Sequence, residues 1–122
     1  MAAKRILFVD NRPEHLSQPA LRLQMAGYDV DDAASGGEAL SKLRRRPYDL
    51  LILDAELPAE DGWGLLKQIR EEQSLSALKV IVFMAAKGET EKLLLVPVDG
   101  ELRRPFTLGE LLDKVRAVIG EP

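Results

Sequence analysis

Short apolar runs alternate with amphipathic stretches along this chain. Ile6-Leu-Phe-Val9, Leu50-Leu-Ile-Leu53 and Val80-Ile-Val-Phe-Met84 are almost wholly apolar, as strands covered on both faces of a parallel sheet must be. Tyr28 to Ala33 is more polar and reads as an edge strand, and Gly100 to Arg103 as a fifth strand. Between them the pattern predicts helices. The first lies between Pro13 and Ala26 and is stopped by Gly27. The second starts at Ser35-Gly-Gly-Glu38, turns Ala39, Leu40 and Leu43 inward and ends before Pro47. The third covers about Gly62 to Gln73 with Leu65, Leu66 and Ile69 as its stripe. A short one lies in Thr90 to Leu95. The last opens at Thr107-Leu-Gly-Glu110 and carries Leu111, Leu112, Val115, Val118 and Ile119 at helical spacing. Both four-residue openings are capping boxes, in which hydroxyl and carboxylate satisfy each other's backbone N–H groups. Pro19 is a discord inside the first helix, because it removes an N–H and crowds the preceding turn. Either that helix kinks or it starts late with Ser17 as its cap.

Nearly apolar strands separated by helical patterns imply an α/β protein, a doubly wound three-layer αβα sandwich on a parallel sheet. Two strands end alike: Ile6-Leu-Phe-Val9 runs into Asp10, and Leu50-Leu-Ile-Leu53 into Asp54. Ligands bind beyond the carboxyl ends of strands in such sheets, so Asp10 and Asp54 form one candidate acidic site.

The chain has 122 residues, the size of one domain, and residues 1–122 are expected to form a single unit. A formal net charge of −3 gives no reason to expect nucleic acid or an anionic membrane as partner. No apolar stretch is long enough to span a bilayer, and the first strand follows Met-Ala-Ala-Lys-Arg too closely for a signal peptide. Cysteine is absent, which excludes disulfides and thiolate metal sites and makes a reducing cytoplasm the natural location. His15 is the single histidine, read as a solvated helix residue. Arg44-Arg-Arg46 is read as complementing the carbonyl end of the second helix, and Gly36-Gly37 as a helix entry rather than a phosphate loop. Trp63 is expected to be partly buried, with an exposed partner anchor as the other reading.

Three blocks together resemble the receiver domain of bacterial two-component response regulators, over essentially the whole chain. Ile6-Leu-Phe-Val-Asp10-Asn11 is similar to the family's first strand and acidic pair. Leu51-Ile-Leu-Asp54-Ala-Glu-Leu-Pro58-Ala-Glu-Asp61-Gly62 is similar to its phosphoacceptor strand and following loop. Arg104-Pro105-Phe106 stands where the family has Lys-Pro-Phe with a cis Lys-Pro bond. The resemblance implies a flavodoxin-like sheet of strand order 2-1-3-4-5. It also implies a switch in which Asp54 accepts a phosphoryl group, usually from a kinase phosphohistidine. Mg²⁺ would be held by Asp10, Asn11, Asp54 and the backbone carbonyl of Glu56.

Four positions depart from that pattern. Asn11 offers a neutral oxygen where the family has a second carboxylate, which weakens a hard-cation site. Met84 stands where a phosphate-binding Ser or Thr is expected, and a thioether donates nothing; it reads as core packing that plugs the pocket. Arg104 replaces the Lys with a planar fork. It could clamp phosphate, pair directly with Asp54 in the resting state, or form a surface salt bridge. Glu101 aligns with the switch aromatic of the fifth strand and cannot pack inward as a ring does.

The pattern is that of an atypical receiver, a pseudo-receiver acting through protein–protein contacts with a histidine kinase, another receiver or an output protein, and a homodimer is possible. No catalysis is expected beyond self-phosphorylation and dephosphorylation at Asp54. The alternative is a working Mg²⁺-dependent phosphoacceptor. A flavodoxin-like cofactor binder is disfavoured because Asn11-Arg-Pro-Glu14 is no phosphate cradle. A phosphoester hydrolase using Asp54 and Glu56 lacks a matching downstream acid motif.

Overall fold

The computed structural model describes residues 3–10, 13–54, 59–84 and 96–122, with the backbone alone for 13–17 and 59–61. Within them the chain runs β1 (Arg5–Val9), α1 (Pro13–Ala26), β2 (Asp29–Ala33), α2 (Gly36–Arg45), β3 (Leu50–Asp54), α3 (Ala59–Glu71), β4 (Lys79–Met84), β5 (Gly100–Arg103) and a C-terminal helix, α4 (Leu108–Ile119). The helix expected in Thr90 to Leu95 lies outside the described residues. The five strands form one parallel sheet in the order β2-β1-β3-β4-β5, the flavodoxin-like topology.

Side chains alternate across each strand and divide the core in two. Leu7, Val9, Leu51, Leu53, Val80, Val82 and Met84 pack under α2 and α3, against Leu40, Leu43, Leu65, Leu66 and Ile69. Ile6, Phe8, Leu50, Ile52, Ile81, Phe83 and Leu102 pack on the other face, against Leu23 of α1 and Leu111, Leu112 and Val115 of α4. The polar run Asp29-Val-Asp-Asp32 sits on an edge strand, where charge deters edge-to-edge pairing.

Several local expectations need correction. α1 begins at Pro13 and continues through Pro19, so Ser17 is not its cap. Burial of Leu23 against α4 outweighs the local penalty of the proline, as tertiary packing commonly does. The helix stops at Gly27, whose φ of 110° suits a residue without Cβ. α3 starts at Ala59, three residues before Gly62. Thr107 and Glu110 form the full capping box of α4. At α2 the Ser35 hydroxyl accepts from Glu38 N–H, but Glu38 reaches back one residue further, to Ala34 N–H.

Opposite the carboxyl ends of the strands, charged side chains tie loops to elements. Arg70 of α3 donates to the carbonyls of Ser76, Leu78 and Pro97 and pairs with Asp99, whose carboxylate also accepts from Val80 N–H. Arg44 lies in the last turn of α2, where a cation complements the carbonyl end, and it also forks onto Glu72 just past α3. Arg46 pairs with Asp31 at 3.6 Å.

Candidate phosphoacceptor site

Asp10 and Asp54 are the two buried charged residues among the described ones, at 3% and 2% exposure. Their positions follow from strand register. Asp54 is the last residue of β3, in the side-chain row of Leu50 and Ile52. Asp10 directly follows β1, and its N–H donates to Ala33 O of β2, holding it at the same sheet edge.

Arg104 arrives from the far side of the sheet. Its backbone N–H donates to Met84 O at 2.9 Å, which extends the β4–β5 pairing by one residue. Its side chain then crosses to β3. Nη2 lies 2.8 Å from Asp54 Oδ2, and Nη1 lies 3.4 Å from Oδ1. This is a forked guanidinium–carboxylate contact, in which both charges strengthen the hydrogen bonds. Water is largely excluded from the Asp54 carboxylate, so the pair is less screened than a surface pair. The Arg104–Pro105 bond is cis.

Met84 is fully buried, but it packs with Val80 and Val82 under α2 and α3. The register pairs Asp54 with Phe83, and paired residues in a parallel sheet point to the same face. Met84 thus takes part in that core, as its core-packing reading expects, and Phe83 is the β4 residue registered beside Asp54. The Arg104 guanidinium carbon lies over the Phe83 ring, 5.6 Å from its centroid. In the sequence Phe83 is one apolar residue among several, and strict alternation along β4 is the signal that marks it.

Glu101 is exposed on β5 opposite Val82 and lies 3.7 Å from Arg103. Trp63 is half-buried against the α2–α3 core, and its buried Nε1–H has no hydrogen-bond partner among the described residues. Asn11 and Glu56 lie outside the described residues, as does the side chain of His15. No group of three or more His, Cys, Asp or Glu among the described residues is placed to hold a metal, and none of the described helices is long and apolar enough to cross a membrane.

Residues 6–116 match the response regulator receiver domain. The chain belongs to that family. Receiver domains act in two-component signalling with histidine kinases and other proteins, bind Mg²⁺ in the active site, and are not generally enzymes beyond their own phosphorylation. This receiver is 36% identical over 106 residues to the sensor protein EvgS of Escherichia coli (strain K12), a match covering 87% of this chain and 9% of EvgS. It is 31% identical to the alkaline phosphatase synthesis transcriptional regulatory protein PhoP of Bacillus subtilis (strain 168), over 95% of this chain and 48% of PhoP. The chain thus spans half or less of these relatives. Among solved structures, it resembles the receiver domain of sensor histidine kinase PA1611 from Pseudomonas aeruginosa PAO1, with a TM-score of 0.87 and 28% identity over 98% of this chain and all of that one. That structure is described as having a magnesium ion coordinated in the active site cleft.

Proposed function

We propose that this receiver is of the degenerate type: it works mainly through protein–protein contacts, and Arg104 opposes phosphorylation by occupying Asp54. The observation that carries this reading is the fork of Arg104 on a carboxylate that is 2% exposed. A phosphoryl donor attacked by Asp54 needs a free carboxylate lone pair, and a metal at Asp54 needs the same oxygens. Arg104 competes for both.

The donor chemistry still suits Mg²⁺ in kind, since Asp10 and Asp54 are two buried carboxylates at one sheet edge. In this reading Asp10, Asn11, Asp54 and the Glu56 carbonyl would hold the ion, with Asn11 the weak member. The ion would supply positive charge against an incoming phosphate dianion. Residues 1–122 act as one cytoplasmic receiver unit. The partner is a histidine kinase, another receiver or an output protein, with a second copy of the chain as a further candidate. Glu101 stands where the family's moving aromatic would be, so any signal passes without that ring.

A second reading, a working phosphoacceptor with Arg104 as phosphate clamp, is favoured by one observation: Asp10 and Asp54 are both retained and both buried. Acetyl phosphate with Mg²⁺ separates the two. The degenerate reading expects no change in intact mass. A phosphoryl mass gain that disappears in Asp54→Ala would replace it with the second.

A further inference from the structure

We propose that Phe83 is a positioning residue for Arg104, its ring face holding the guanidinium in the orientation that lets both outer nitrogens reach Asp54. The inference rests on the reading above, in which Arg104 competes for Asp54. Three observations support it. The Arg104 guanidinium carbon lies over the Phe83 ring at 5.6 Å from the centroid, within the range of an attractive cation–ring contact. The register places Phe83 directly beside Asp54 on the same sheet face, so ring and carboxylate both contact the same guanidinium. The ring is itself held: Phe8 packs at 5.8 Å in an edge-on arrangement, and Phe106 at 4.8 Å with its plane tilted by 56°. A buried ring packed against two others has little freedom to turn away.

The chemistry also favours the residue found at position 104. A guanidinium is flat and weakly hydrated, and it can lie on a ring while its edge binds a carboxylate. An ammonium is compact, strongly hydrated and cannot do both as well. Phe83 and Arg104 therefore form a matched pair, and the ring adds a cost to swinging the arginine out when metal arrives.

The test is a double-mutant cycle on Mg²⁺ affinity, read from amide chemical shifts of the full chain in Phe83→Leu, Arg104→Ala and the double variant. Arg104→Ala should tighten Mg²⁺ binding, and Phe83→Leu should tighten it by about threefold. In the Arg104→Ala background Phe83→Leu should change nothing, because no guanidinium is left to position. An equal effect of Phe83→Leu in both backgrounds, or none in wild type while Arg104→Ala tightens, would overturn the positioning role. No tightening in Arg104→Ala would instead overturn the competition on which it rests. If Phe83→Leu does not fold, the metal-free wild type still decides: the Arg104 side-chain protons should be shifted upfield by the ring. Unshifted resonances contradict the proposal.

Discussion

Two arginine–carboxylate pairs in this molecule have nearly the same closest approach and opposite surroundings. Arg104 meets Asp54 at 2.8 Å, with side-chain exposures of 27% and 2%. Arg44 meets Glu72 at 2.7 Å, with 53% and 28%. Distance alone would rank them equal. At the surface, water and salt screen the attraction, and holding two long side chains in one geometry offsets most of it. At the sheet edge Asp54 has lost its water, so the partner that compensates its charge matters far more. The first pair lies at the candidate phosphoacceptor site, whereas the second joins α2 to the end of α3 at the surface.

The largest expected effect comes from breaking the buried pair. Arg104→Ala should lower unfolding stability by about 2 kcal/mol in metal-free buffer, less than for a fully buried pair because Arg104 is partly exposed. Millimolar Mg²⁺ should restore part of the loss by binding the folded form only. Urea melts with and without the ion check both. A loss unaffected by Mg²⁺ would mean that Arg104 supports packing and does not stand in for a cation.

Tyr48 is an intermediate case. Its hydroxyl donates to Asp31 at 2.6 Å, and burial, followed by that carboxylate, pushes the phenol up to about 12 from its ordinary 10. Tyr48→Phe should cost about 1 kcal/mol at neutral pH. The folded state holds this proton more tightly than the unfolded chain. The contribution is therefore complete below pH 10 and is lost as pH rises from 10 toward 12. Denaturation midpoints of wild type should fall more steeply than those of Tyr48→Phe across that window. Parallel curves would remove Tyr48 from the comparison.

The smallest effect belongs to Arg44→Ala. Its melting midpoint should stay within the scatter of repeat measurements, and any shift should vanish in high salt. A salt-resistant loss would show that burial is not what separates the two pairs.

Much of this organisation was legible in the sequence. The apolar runs ending in Asp10 and Asp54 marked the sheet end at which both carboxylates are buried, because a parallel sheet gathers strand ends on one side. Thr107 and Glu110 announced the start of α4 through chemistry confined to four residues. What was not legible depended on contacts between distant segments. Arg44 is legible as a helix-end cation, but its second partner Glu72, brought beside it by the end of α3, is not. Ser17 looked like a cap because the packing of Leu23 against α4 is invisible from Pro19 alone. Met84 drew notice through its place in a motif, yet the face of β4 that meets Asp54 is set by register and belongs to Phe83.

The most direct test of the account is a crystal structure of the full chain grown with millimolar Mg²⁺. With Arg104 as the competitor, its fork stays seated on both Asp54 oxygens. Mg²⁺ bound between Asp10 and Asp54, with Arg104 displaced and the Phe83 ring vacated, would contradict it.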